Sequence, residues 1–532
     1  MKTTYMPHVM GISLSLFIAG IGWAQVDGTW KAGAGSGEWH DSAKWDGNPN
    51  PVPGGAGSEV NLTTGTGGSV WITINGSVAS RTVGVLNFGA TGEGVDTSWT
   101  VAASNSGTLT FDNGLSPAEI NVVNAGTNLQ HIRTPIILSS SLIINNDNAN
   151  KTIKLGTGVD GYTISGTGGI TKEGAGILEL YTAPNSAIYS GDTVINGGKL
   201  LLTAQAFNGA STHLHLNNGS ILESSITSLS FGGGLTINNG TINATASSLY
   251  FKNQTVTVNQ GAIHAIIKDD SGSNPGSIHK VGSGTFVLSK VNTYTGNTTV
   301  SAGTLVISST GSINGTSGTV IINGGDLRYN SAANLNKAVT FTSGTLSGTN
   351  WNGTLNNLTI GTGQTINPGN SPGTATTSNQ TWATGGTYAW EINDAAGTPG
   401  ADPGWDLLNG AGTLNITATD GNEFTIKVTS LTLANTAGNA VNFDDTLDYQ
   451  WRIADFANAI TFDAAAFNID TNAFSNAFTG AFSLRRGDDS LITGGDNTQL
   501  WLAYTAIPEP SAWMLLVVSL GTLALRRGRR VS

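Results

Sequence analysis

Lys280-Val281-Gly282-Ser283-Gly284 with Leu288, then Tyr294-Thr295-Gly296-Asn297-Thr298-Thr299-Val300, Gly303 and Leu305, is the stretch that decides the fold, because the chain has already used it once. The earlier copy reads Lys172-Glu173-Gly174-Ala175-Gly176 with Leu180, then Tyr189-Ser190-Gly191-Asp192-Thr193-Val194-Ile195, Gly198 and Leu200. Both copies belong to a longer comb. Gly-x-(Leu/Ile/Phe) recurs at Gly176, Gly198, Gly219, Gly240, Gly261, Gly284, Gly303, Gly325 and Gly344, an interval of about 21 residues. One turn of a parallel β-helix takes about that much chain: three short strands and three bends, with Gly or Asn where a corner needs positive φ.

The comb predicts a column. Leu200, Ile221, Ile242, Ile263, Phe286, Leu305, Leu327 and Leu346 should point inward, each lying on its counterpart in the next coil. The residues between glycine and apolar position should then face outward: Ile177, Lys199, Ser220, Thr241, Ala262, Thr285, Thr304, Asp326 and Thr345. That stack is mostly neutral. A polysaccharide-active β-helix needs a compact cluster of acids, often with Lys or Arg, on one outward sheet, and none is visible on this one, so no catalytic residue is assigned.

Composition agrees with repetitive β structure. The 532 residues include 73 glycines and only 11% charged side chains, and short Val/Ile/Leu/Thr runs alternate with Asn-Gly and Gly-Gly turn signals. A net charge of −11 with 23 basic residues argues against nucleic acid, whose phosphates require a basic stripe. With no cysteine, disulfides and thiolate metal sites are excluded.

Residues 1–24 read as a secretory signal for the Sec machinery: Lys2, an apolar run from Val9 to Ile21, and small residues suited to cleavage after Ala24. Residues 25–60 carry Trp30, Trp39 and Trp45 among Gly, Asp and Asn. Two readings stand: a cap that closes the open end of a solenoid, or exposed rings for stacking on sugars. Residues 61–375 are assigned to a right-handed parallel β-helix, whose crossovers take that hand by rule. A smaller C-terminal β module is expected over 376–505, with alternation at Phe424-Thr425-Ile426-Lys427-Val428 and a partly helical or irregular stretch from Ala454 to Ala481.

The K-x-G-x-G-x-x-x-L…Y-[ST]-G-[DN]-T-x-[IV]-x-x-G-x-L pattern, near 168–202 and 276–307, resembles the autotransporter-associated β-strand repeat of large bacterial surface proteins. Ile366-Asn367-Pro368-Gly369-Asn370-Ser371-Pro372-Gly373 is similar to the segment that closes such repeat regions. The resemblance implies a β-helical passenger. An outer-membrane barrel of many alternating strands has no counterpart in the C-terminal sequence.

Residues 506–532 resemble the PEP-CTERM sorting signal in all three of its parts. Pro508-Glu509-Pro510 is followed by an apolar run, Ala512 to Leu525, and then by Arg526, Arg527, Arg529 and Arg530, a basic stop of the kind retained on the cytoplasmic face. The run, expected to be helical, is about fourteen residues, short of the ~20 of a stable span. The resemblance implies a transient inner-membrane anchor. An exosortase would recognise Pro508, Glu509 and Pro510, and the body would pass to the cell surface or extracellular matrix.

Of ligand sites, the acids at Asp269-Asp270, Asp402 and Asp406, Asp444-Asp445 and Asp448, and Asp488-Asp489 sit in turn-like settings without a calcium-loop pattern. They read as solvated turns, with Ca²⁺ as the alternative; no other cofactor and no metal ligand set is assigned. His213 and His215 read as surface residues. The expectation is therefore an all-β, exported, non-enzymatic surface or matrix protein, associated with exopolysaccharide or biofilm. A glycan-binding module using Trp30, Trp39, Trp45, Trp382, Trp390 and Trp405 is the alternative, and a β-helical polysaccharide enzyme comes after it.

Overall fold

The structure, a computed structural model, describes residues 25–507 apart from the short segments 48–51, 65–67, 90–96, 124–128, 158–161, 183–186, 204–206, 208–211, 245–246 and 271–274. The expected leader with Ala24 lies outside the described residues. So do Pro508, Glu509 and Pro510, the apolar run and Arg526 to Arg530. Among the described residues, no helix is long and apolar enough to cross a membrane, and helix is confined to two 3₁₀ turns, Ser42–Lys44 and Ala464–Ala466. The chain divides into two compact units, Met1–Gly176 with Tyr189–Gly191, and Ile177–Ile188 with Asp192–Ser532. Neither boundary expected from sequence, near 60 or near 375, coincides with that division.

In the first unit, three parallel ladders share one coil. Val60, Leu86, Ile120, Ile144 and Lys172 stack on one face. Gly37, Ile72, Val101, Ile132 and Leu155 stack on the second, and Val83, Phe111, Leu138 and Gly166 on the third. These coils precede the comb, and their ladders begin before residue 61, at Gly28 and Gly37. Their spacing is uneven because loops of different length enter between strands whose alternation is unchanged. Burial follows parity: in Gly68–Asn75, Val70, Ile72 and Ile74 are buried and the residues between them are not.

The comb lies mainly in the second unit, and there the coils are regular. Leu178, Leu200, Leu222, Ile242 and Ile263 form one inward column. Phe286, Leu305, Leu327 and Leu346 form another, which continues to Ile366, Tyr388 and Ile426. The single column expected from the comb is thus corrected at two places. Ile221 faces outward while Leu222 and Ser220 are buried, and Phe286 pairs with Gly261 while Ile263 pairs with Leu288.

The glycines of the comb are not equivalent in the fold. Gly198 and Gly219 precede their strands with φ of 63° and 76°. Gly240 and Gly261 lie inside the strands Leu235–Asn243 and Thr255–Ile263. Aligning on glycine therefore slips the register by one residue, and one residue reverses a strand's faces.

The parallel ladder also runs through residue 376 unbroken, since Thr365 pairs with Thr387 and Thr387 with Thr425. The expected separate C-terminal module is in part a continuation of the coils. What differs is the last sheet, where Thr374–Thr377, Leu407–Gly410 and Tyr449–Phe456 are parallel but Gln499–Thr505 and Ala481–Arg486 turn antiparallel. Antiparallel strands need no crossover, so the coil ends there.

Candidate functional site

The repeated motif holds corners. Lys280 sits at an inward position, in register with Val258 before it and Val300 after it. Its ammonium is buried and donates to the carbonyls of Val281 at 2.7 Å, Gly282 at 2.9 Å and Ala302 at 3.0 Å. In the other copy Lys172 donates to Glu173 O at 2.6 Å and Gly174 O at 2.7 Å. Burial lowers each ammonium to about 8. The glycine two places on serves the corner: Gly282 has φ +64°, a left-handed conformation that favours glycine.

Tyr294 and Thr298 of the second copy meet inside, hydroxyl to hydroxyl at 2.5 Å. Lys337 caps the same bend, donating to Tyr294 O at 3.0 Å and Gly296 O at 2.7 Å, with its Nζ 4.1 Å from the Tyr294 ring centre. These side chains are buried, so Lys280, Tyr294, Thr298 and Lys337 hold the coil together and are not presented to a ligand.

One outward face of the second unit carries a row of threonines broken once by Asp326. Thr285, Thr304, Asp326, Thr345, Thr365, Thr387 and Thr425 occupy successive coils in register, one side chain for every strand spacing of about 4.8 Å. The four outward positions read from the comb here, Thr285, Thr304, Asp326 and Thr345, are borne out. Ser220 is not outward but buried. Burial raises the Asp326 carboxyl, while Ser347 Oγ, donating at 2.7 Å, and Arg328 oppose that rise.

In the first unit the corresponding feature is an amide ladder. Asn145 donates to Asn121, Asn121 to Asn87 and Asn87 to Asn61 at 2.7 to 3.0 Å. These amides line an open groove of about 470 Å³ with Asp147.

The tryptophans of residues 25–60 are corrected from candidate sugar-stacking residues to structural ones. Trp30, Trp39 and Trp45 are fully buried, Trp30 and Trp45 meeting edge to face at 4.8 Å and Trp39 and Trp45 packing at 5.3 Å. Their indole N–H groups donate to Gly35 O, Pro53 O and Trp39 O. No ring face is left for a sugar. Trp382, Trp390 and Trp405 are buried as well, Trp382 stacked on Phe424 at 4.7 Å.

The turn acids are engaged by the protein itself. Asp269 accepts from Gly276 N at 2.8 Å and from Thr295 N at 2.9 Å. Asp402 accepts from Asn393 and Asn435, both at 2.7 Å. Among the described residues, no three acids or histidines converge in a way that would hold a metal ion. His213 and His215 stack on each other at 4.4 Å, and His213 meets Thr236 Oγ1 at 2.8 Å.

Asp406, expected from sequence to be a solvated turn acid, is buried instead, and its carboxyl is raised well above the usual range by burial and by Glu391. One group escaped the sequence reading. Trp71 stands out from the sheet, 42% exposed. Its signal was present in Ser69-Val70-Trp71-Ile72-Thr73-Ile74, where alternation puts Trp71 on the polar side.

Comparison with known proteins bears on the repeats. The Passenger-associated-transport-repeat family matches residues 170–202 and 278–307, the two copies quoted at the outset. A stretch of 68 residues is 38% identical to the "Uncharacterized lipoprotein YdeK" of Escherichia coli (strain K12). That stretch is 13% of this chain and spans only 5% of the relative's length. No solved structure matches the chain significantly. The chain thus carries two passenger-associated repeats, the mark of a secreted or surface-exposed, passenger-like protein.

Proposed function

We propose that this protein is a passive component of the bacterial cell surface or exopolysaccharide matrix, exported through the Sec machinery, anchored briefly in the inner membrane and released by an exosortase that recognises Pro508, Glu509 and Pro510. The observation that carries the functional part is the in-register row from Thr285 to Thr425. Hydroxyls repeated at the strand spacing match the hydroxyls of an extended polysaccharide. Many weak contacts along one row add through effective concentration, and no single residue needs to dominate. The similarity to a lipoprotein segment supports an envelope location.

The full chain should be retained on a neutral exopolysaccharide and release no new reducing ends from it. Hydrolysis would overturn the passive reading. For sorting, mass spectrometry of the surface form from its native host should find chains that end near Pro508 to Pro510. A tail intact through Ser532 would refute processing.

A further inference from the structure

We propose that the outward face of the first unit around Trp71 and Arg133 is a second, distinct platform that binds an acidic, uronate-bearing polysaccharide. The inference deepens the reading of the protein as a glycan-contacting one. It starts from parity. The strand Gly68–Asn75 buries Val70, Ile72 and Ile74 and presents Trp71 to water at 42% exposure. Among the described residues every other tryptophan is buried, except Trp501, which is half-buried. Leaving an indole in water forgoes burial of a large apolar surface, so a ligand that covers it has a favourable term waiting.

The platform is rigid. Trp71 N donates to Ser36 Oγ at 3.0 Å, and its strand pairs residue for residue with Thr97–Ser104. On the same side Trp71 is in register with Thr100 and then His131, and Thr73 with Ala102 and then Arg133. Thr100 and Ala102 are small and form a flat floor. The Arg133 guanidinium carbon lies 5.7 Å from the centre of the Trp71 ring, and Arg133 itself is exposed.

Charge selects the ligand. Although the chain carries −11 overall, the row of Trp71 passes through His131 to Lys154 and lies beside Arg133. Glu38, in register with Thr73, is paired with His40 at 2.9 Å. An indole takes the apolar face of a pyranose, and a guanidinium takes a carboxylate in a two-point fork. The Arg133 guanidinium and the Trp71 ring are 5.7 Å apart, so a single uronate residue can meet both. A neutral glucan would use the ring but offer the Arg133 guanidinium no carboxylate.

The test titrates the full chain with a galacturonic acid pentamer, followed by calorimetry and tryptophan fluorescence. Wild type should bind, and should bind more weakly as salt rises. Trp71→Ala and Arg133→Gln should each weaken binding tenfold or more with unchanged melting temperature, both side chains being exposed. Failure of the wild type to bind, or equal binding by both variants, would overturn the platform. Thr345→Val in the other unit should leave pentamer binding unchanged; a loss there as large as for Trp71→Ala would also overturn it. If retention on neutral polysaccharide fails while Trp71-dependent pentamer binding persists, the proposed function falls and this inference stands.

Discussion

The Lys280 ammonium donates to the carbonyl of Ala302, 3.0 Å away on the following coil, while also holding the carbonyls of Val281 and Gly282 in its own turn. One buried cation therefore ties two successive corners together. Lys280→Met keeps the volume of the stem but leaves three carbonyls short of a donor. It should cost about 2 to 3 kcal/mol, the penalty for buried acceptors left unpaired outweighing the relieved burial of charge. Chemical denaturation of variant and parent measures it.

The same lysines give stability a pH signature. Burial lowers Lys172, Lys280 and Lys337 to about 8 from 10.5. Between those values the unfolded chain holds more protons than the folded one, so stability contributed by these groups rises with pH across that window and is lost as pH falls through about 8. Melting temperature should therefore climb from pH 8 toward pH 10. The climb should be smaller in Lys280→Met, and an unchanged climb would contradict the assignment.

Gly303 and Gly421 separate two causes of glycine dependence. Both have positive φ, but a Cβ at Gly303 meets the backbone carbonyl oxygens of Gly284 and Gly282 at 2.4 and 2.5 Å, while at Gly421 nothing lies within 4 Å. Gly421→Ala should cost about 1 kcal/mol from backbone strain alone, and Gly303→Ala clearly more. Equal losses in thermal unfolding would show that the close approach is not felt.

Trp45→Ala removes the centre of the buried Trp30, Trp39 and Trp45 cluster and should destabilise the first unit by about 3 to 5 kcal/mol. The fraction that remains folded should bind polysaccharide as the parent does. A stable variant with lost retention would return these rings to a binding role.

Asp406 accepts from Gly373 N at 2.8 Å and Glu391 N at 2.9 Å, one to each oxygen. Asn supplies only one acceptor, so Asp406→Asn should set an amide against an N–H and cost about 2 kcal/mol. Because the folded carboxyl is raised, its contribution is complete below the ordinary carboxylate range and declines as pH rises. Unfolding of parent and variant across pH 4 to 7 compares the two slopes.

The coil was legible from the comb because glycine at corners and apolar residues inside are requirements of the backbone itself. The register was not. Glycine serves a turn at Gly219 and a strand interior at Gly240, and the sequence marks both with the same letter. Function shows the same division: the neutral outward row at Thr285, Thr304 and Thr345 could be read because strand parity is local. For Trp30, Trp39 and Trp45 the sequence leaves cap and sugar stacking both open, since the choice depends on three rings finding one another, and Trp71 is hard to single out because its alternating neighbours signal the coil and not the face.

The central claim is that contact is spread along the threonine row, and a substitution series at Thr345, Thr365, Thr387 and Thr425 tests it most directly. Valine keeps the shape and β preference and removes only the hydroxyl. Retention of the full chain on neutral exopolysaccharide should fall by a similar factor with each added Thr→Val, while melting temperature holds. Retention that is unchanged by all four, or abolished by any one, would contradict the account.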